Sequence, residues 1–300
     1  MQFSVFSSYL QQLESISSRL KMTEVLAELL IKLEDQEIVQ ACYLMQGKLV
    51  PLYESLEFGL SEKMIIRALV RVVSQQQRDQ HNSENQSINQ NLFGEEDLSI
   101  NEAKVKKIYK RLGDIGLTAE EIVKAQNSAY HSDGQLKILD VFDRLTIIAH
   151  EAGEGSQDRK ISGLVQLIKV LDSTSVKFAT RIILGKMRLG FSQMTMLDAL
   201  SWAVVGDKSE HEVLEEAYNR KADIGKLAQF YLSLHRQSPA IRAKKLLTIK
   251  SEVGVPIIPA LCQRLNSAED IIAKMGEIFV EPKYDGMRVQ IHFNRSGKKV

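Results

Sequence analysis

Proline is scarce in this chain, with five in 300 residues and only Pro51 before residue 239. Proline breaks helices from within, so nothing in the first 234 residues but that one position interrupts helix on this ground. Cysteine is scarcer. Cys42 and Cys262 stand alone, without a CxxC pair, which excludes a disulfide framework or a cysteine zinc site and points to a reducing cytoplasm. No stretch approaches the roughly twenty apolar residues that a membrane span needs. The N-terminal "MQFSVFSSYLQQLESISSRLK" lacks the basic start and unbroken apolar run of a secretory signal. Charge of one sign is also lacking: 39 Lys and Arg against 38 Asp and Glu leave a net +1, so any surface for a polyanion must come from local clustering. There is no GxxxxGK[ST] loop to cradle phosphates, and "GEGSQD" lacks the third glycine and the preceding strand of a dinucleotide fingerprint. HExxH is absent, and the six histidines are scattered without metal-ligand spacing.

What is present is a helical sequence whose character changes near its end. "TEVLAELLIKL" sets Val25, Leu26, Leu29, Leu30 and Leu33 on one face, behind an expected N-cap at Thr23. "SQQQRDQHNSENQSINQNLFGEED" then reads as an exposed, mobile insertion at about 74–100. Helical periodicity resumes at "NEAKVKKIYKRL" and continues to about Leu234. After a linker over 235–255, "VGVPIIPAL" predicts an extended connector, "EIFVE" and the alternating "MRVQIHF" predict strands, and "NRSGKK" predicts a turn. The expected fold is mainly α: a helical domain over 1–234, then the first strands of an incomplete α+β domain over 256–300.

The helical part carries an internal repeat. Offset by 138 residues, "LEDQEIVQACYLMQGKL" (33–49) falls on "LDSTSVKFATRIILGKM" (171–187), aligning Gly47-Lys48 with Gly185-Lys186. After a loop longer in the first copy, "GLSEKMIIRAL" (59–69) matches "GFSQMTMLDAL" (190–200). The shared element is a helix ending at glycine, a connector, and a helix opening with serine. Helix N-termini present unpaired N–H groups that suit phosphate, and "GKMRLG" brings Lys186 and Arg188 beside one. Two such elements related by symmetry fit a duplex gripped across its own pseudo-dyad. The competing reading is a plain glycine cap whose cations complement a carbonyl end. "GSQDRK" (155–160) predicts an N-cap at Ser156, with Arg159 and Lys160 facing either an external anion or only solvent.

The most loaded stretch is "EPKYDGMR" (281–288). A lysine becomes nucleophilic only when neutral, and nearby cations with partial desolvation depress its pKa. Lys283 at a strand end, with Arg288 and a nucleotide-bound divalent metal nearby, suits attack on an α-phosphate and departure of pyrophosphate. Gly286 allows close backbone approach, and Asp285 fixes the turn. The competing reading is a surface turn with both cations solvated.

On these residues the chain resembles the ATP-dependent DNA ligases of the archaeal and eukaryotic replicative type. Lys-Tyr-Asp-Gly-Met-Arg is similar to motif I of the covalent nucleotidyltransferases. The resemblance implies that Lys283 becomes adenylated, that Glu281 recognises the adenine amino group and that Arg288 binds the nucleotide, with ATP and Mg²⁺ as cofactors. "RIILGKMRLGFSQMTMLDAL" resembles the minor-groove segment of the family's helical domain, implying that Gly185, Lys186, Arg188, Gly190 and Ser192 meet nicked double-stranded DNA. "GSQDRK" and "VGVPIIPALCQRL" also resemble family segments. Gln193 departs from the family's acidic residue. The later catalytic motifs, with their metal-binding carboxylates, fall beyond residue 300, so no metal ligand is expected here, and the 300 residues are expected to bind a nick without sealing it. An RNA ligase or capping guanylyltransferase shares the lysine motif but not a helical domain of this size. A non-catalytic DNA-binding module leaves the lysine motif unexplained. A monomer is expected, with "QNLF" (90–93) as a candidate sliding-clamp peptide against the reading of an ordinary loop.

Overall fold

A computed structural model describes residues 1–84, 95–125, 136–259, 264–282, 284–287 and 289–294. Six helices come first: α1 (Phe3–Ser15), α2 (Arg19–Lys32), α3 (Asp35–Met45), α4 (Glu62–Glu84), α5 (Glu95–Leu112) and α6 (Ile115–Ala125). Six more follow: α7 (Ile138–His150), α8 (Ser156–Val170), α9 (Ser173–Leu184), α10 (Gln193–Val205), α11 (His211–Arg220) and α12 (Ile224–Ser233). Two short ones, α13 (Pro239–Leu247) and α14 (Ala268–Met275), complete the described set.

The two sets of six are copies, and they are intertwined. Helix α2 packs on α10 while α8 packs on α4; α1 packs on α9 while α7 packs on α3; α6 packs on α9 while α12 packs on α3. Each contact between halves thus recurs with the halves exchanged, as a two-fold axis requires. The chain entries to α1 and α7 pair across that axis: Phe3 N–H donates to the Leu136 carbonyl at 2.8 Å, and Ile138 N–H donates to the Met1 carbonyl at 3.1 Å. Phe3, Phe6, Leu10 and Leu13 are buried in α1, as are Ile138, Val141, Leu145 and Ile148 in α7. One continuous core joins both halves, so neither half keeps its apolar face covered without the other.

Local chemistry sets the helix ends. Asp172 caps α9 by accepting from Thr174 N–H and Ser175 N–H, each at 3.0 Å. Gly185 ends α9 in the left-handed region at φ 65°, with Lys186 N–H returning to the Arg181 carbonyl at 3.0 Å. Lys48 N–H returns to Tyr43 at the same 3.0 Å after Gly47.

Several expectations require correction. Thr23 is no N-cap: it lies buried within α2, its hydroxyl donating to the Arg19 carbonyl at 3.0 Å. Gly155, at φ 71°, precedes α8 instead of Ser156. Of the polar insertion, 74–84 lies in α4 and 95–100 in α5, while 85–94 lies outside the described residues. Asn101 donates to buried Ser74 at 3.0 Å, a polar contact between the two helices that composition alone does not reveal. The "QNLF" peptide lies outside the described residues. The stretch expected as a bare linker holds α13, with Pro239 in its first turn and Arg242 buried. Arg242 donates to Glu210 at 2.9 Å, and Tyr231 donates to the same carboxylate at 2.7 Å. The expected strands at 277–281 and 287–293 form no ladder among the described residues. Phe279, Val280, Val289 and Ile291 are exposed. Alternation is necessary for a half-buried strand, but a paired edge must also be present.

Candidate functional site

The repeated Gly-Lys turns meet at the axis. A Cβ placed on Gly47 would lie 3.0 Å from Gly185 Cα and 3.2 Å from its carbonyl carbon. Both glycines are left-handed, at φ 69° and 65°. Their lysines emerge beside carboxylates: Lys48 pairs with Glu57 at 2.9 Å and Lys186 with Glu62 at 3.1 Å. Two residues on, Arg188 adopts φ 56°, the only positive φ outside glycine among the described residues. That conformation costs about 1–2 kcal/mol in an L-residue. Its Nε lies 3.2 Å from Asp114 Oδ2, while the side chain stays 57% exposed. Gly190 continues the turn at φ 73°, and Ser192 caps α10 by accepting from Thr195 N–H. The structure thus gathers Gly185, Lys186, Arg188, Gly190 and Ser192 into one connector.

Behind each connector is a buried aspartate. Asp114 opens α6, accepting from Leu117 N–H at 2.8 Å, and Asp223 opens α12, accepting from Lys226 N–H at 3.0 Å. The α3 residue Tyr43 and the connector residue Tyr53 donate to Asp223 at 2.8 and 3.2 Å. At the equivalent place Arg181, of α9, donates to Asp114 at 3.1 Å, and Arg188 supplies the connector's contact. One copy therefore holds its aspartate with two phenols and the other with two guanidiniums. Arg181 also reaches Glu14 at 2.9 Å, and buried Lys177 joins Glu14 and Gln11. Removing one partner of such a buried pair costs about 3–5 kcal/mol. Burial, with Asp223 adding to it, pushes the Tyr43 phenol above its ordinary range.

The next pair of equivalents is Glu62 with Tyr109 and Gln193 with Tyr218. Tyr109 donates to Glu62 at 2.5 Å. That bond, followed by the one from Lys186, holds the Glu62 carboxyl below its ordinary value. Burial pushes Tyr218 up to about 12, opposed by its hydrogen bond to Gln193. Gln193 thus occupies the counterpart of an acidic position. Cys42 is buried in the core, and burial pushes its thiol up to about 12, which makes it an inert side chain rather than a nucleophile.

Arg159 and Lys160 lie in the first turns of α8. Arg159 donates to Glu151 at 2.5 Å and to the Ala152 and Glu154 carbonyls at 2.8 Å, closing the loop before α8. Lys160 donates to the Phe58 carbonyl at 2.6 Å, tying α8 to the first connector. Both cations have partners within the protein, while the Arg159 side chain stays 48% exposed. Lys283 and Arg288 lie outside the described residues; Glu281 is exposed. Beyond them, Gln290 grips the connector through the Ile257 backbone, accepting from its N–H at 3.0 Å and donating to its carbonyl at 2.5 Å. Ile258 N–H in turn donates to the Asn219 carbonyl at 2.9 Å. Among the described residues no three His, Cys, Asp or Glu side chains converge as metal ligands.

The family model described as "DNA ligase N terminus" matches residues 2–201, and that described as "ATP dependent DNA ligase domain" matches residues 259–300. The chain belongs to the DNA ligase family. It is 34% identical to a probable DNA ligase of Dictyoglomus turgidum over 301 residues, covering 100% of this chain and 45% of that protein. It is 33% identical to DNA ligase 2 of Thermofilum pendens over 306 residues, covering 99% and 45%. With a DNA ligase of Saccharolobus islandicus it shares 36% over 301 residues, covering 97% and 45%. The chain therefore spans about 45% of the length of the curated relatives it matches.

For a ligase-family helical domain, the equivalences add residues that the sequence reading missed. Their signal was present. "YKRLGDIG" (109–116) and "YNRKADIG" (218–225) share Tyr, Arg, Asp, Ile and Gly at the same spacing. The glycines are needed for room: a Cβ on Gly116 would meet Arg181 Nε at 2.7 Å, and one on Gly225 would meet Tyr43 Cε1 at 2.8 Å. No helix among the described residues is long and apolar enough to cross a membrane.

Proposed function

We propose that the helical part grips nicked duplex DNA across its two-fold axis, and that Lys283 accepts AMP from ATP as the first step of nick sealing. The observation carrying the first statement is the back-to-back meeting of Gly47 and Gly185, which sets two lysine-bearing turns side by side about one axis. A duplex has matching two-fold symmetry in its backbone, so equivalent turns reach equivalent phosphates on the two strands. Gly185, Lys186, Arg188, Gly190 and Ser192 are the assigned contacts, with Arg159 and Lys160 at the start of α8 as a second group.

The second statement rests on the family and on the Lys-Tyr-Asp-Gly-Met-Arg motif. In this reading Lys283 forms a phosphoramidate with the α-phosphate while pyrophosphate leaves, Glu281 recognises the adenine and Arg288 binds the nucleotide. Mg²⁺ would neutralise charge on the departing pyrophosphate. AMP then passes to the 5′-phosphate of the nick, and the 3′-hydroxyl displaces it. Sealing is assigned to a chain of the relatives' full length, and these 300 residues are expected to bind a nick without closing it. A sliding clamp is a further proposed partner.

The test is equilibrium binding of a nicked duplex as salt is varied. Each lost phosphate contact lowers the slope of log affinity against log salt by about 0.9. Lys186→Ala with Arg188→Gly is expected to lower it by about 2 and to weaken binding more than tenfold. An unchanged slope would remove these two cations from the DNA interface.

A further inference from the structure

We propose that Asp114 is a positioning residue for DNA binding, fixing the Arg188 guanidinium and its left-handed backbone before DNA arrives. This rests on the reading above that Arg188 meets the phosphate backbone. Asp114 is itself rigid. It is 5% exposed, its Oδ1 caps α6 through Leu117 N–H at 2.8 Å, and the same oxygen takes Arg181 at 3.1 Å. That leaves Oδ2 aimed at Arg188 Nε, 3.2 Å away. The contact uses the guanidinium edge nearest the chain, and the side chain beyond it remains 57% exposed.

Symmetry supplies the comparison. At the equivalent aspartate, Asp223, the connector contributes a phenol, Tyr53, at 3.2 Å, and no residue of that connector other than glycine has positive φ. The left-handed residue and the exposed cation therefore occur together, in the copy where the aspartate takes guanidiniums. A carboxylate is an odd choice beside a phosphate-binding cation on charge alone, since it repels the ligand. It is an understandable choice if ordering a long cationic side chain and an unfavourable backbone matters more than the repulsion.

The two effects have opposite signs, which makes the proposal testable. Asp114→Asn removes a negative charge from the DNA-facing side. If charge dominated, binding to a nicked duplex would tighten. If Asp114 positions Arg188, binding weakens by about three- to tenfold, the cost of ordering one long side chain on binding. The loss must also vanish where Arg188 is already gone: on an Arg188→Gly background, Asp114→Asn is expected to leave affinity unchanged. A merely structural aspartate would weaken binding equally on both backgrounds, and that result, or tighter binding, overturns the proposal. Asp114→Ser keeps a capping oxygen for α6 without a charge for Arg188 and must repeat the loss, so poor folding of one variant does not decide the matter. The parent reading fails separately: it falls if Arg188→Gly alone leaves affinity and salt slope unaltered, and the proposal then falls with it.

Discussion

Gly47→Ala is expected to lower the melting temperature of the chain by about 5–15 °C, far more than the same change at Gly185. One cost is shared and steric overlap separates the two. At φ 69° and 65°, both substitutions force an alanine into the left-handed region, about 1–2 kcal/mol each. Only at Gly47 does the new methyl meet backbone, 3.0 Å from Gly185 Cα, with Met187 Cγ also at 3.2 Å. At Gly185 the nearest atom is the Gly47 carbonyl oxygen at 3.8 Å, an ordinary contact. Relieving the first clash means separating the two turns, and overpacking of this kind adds about 1–3 kcal/mol. With about 2–4 °C lost per kcal/mol in a domain of this size, Gly185→Ala should cost only about 2–8 °C. Gly113→Ala, left-handed with nothing within 4 Å, should resemble Gly185→Ala. Thermal unfolding followed by circular dichroism reads all three. Equal losses at Gly47 and Gly185 would mean that the turns do not touch at the axis.

The largest functional effect is expected from Lys283→Ala in a chain of the relatives' full length. Without that amine no covalent adenylate forms, and transfer of label from α-labelled ATP to protein should fall by a factor on the order of 10³ or more. Surviving label at that level would exclude Lys283 as the nucleophile. Preference for GTP over ATP would instead favour a capping-type enzyme.

Much of the helical part was legible in the sequence, chiefly around the Gly-Lys turns and the α4–α10 match that follows them. Helices α2 and α3 map onto α8 and α9 at one offset, and there the Gly-Lys turns stand out by eye. The separation falls to 109 residues between Asp114 and Asp223, and the α1–α7 correspondence has yet another spacing. Connectors lie on the surface and tolerate insertions, so packing preserved the helices while the numbering drifted. The same physics hid the partners of the exposed cations. Glu62 and Asp114 reach Lys186 and Arg188 from the opposite copy, a relation that no local window contains. Thr23 misled for a simpler reason: threonine serves a helix start and also hydrogen-bonds within a helix, and the preceding Arg19–Met22 is already helical. The tail showed its alternation in Gln290 and His292, which face the connector through Ile257 and Gly254, with no ladder among the described residues.

The central claim is that one protein axis coincides with one duplex axis. Hydroxyl-radical footprinting of a nicked duplex bound to this chain addresses it directly. Two protected stretches are predicted, one on each side of the nick, with the side served by Lys186 and Arg188 fading first in the Lys186→Ala, Arg188→Gly variant. A single protected stretch on one side, or protection that fades evenly in that variant, would contradict a grip shared between the two turns.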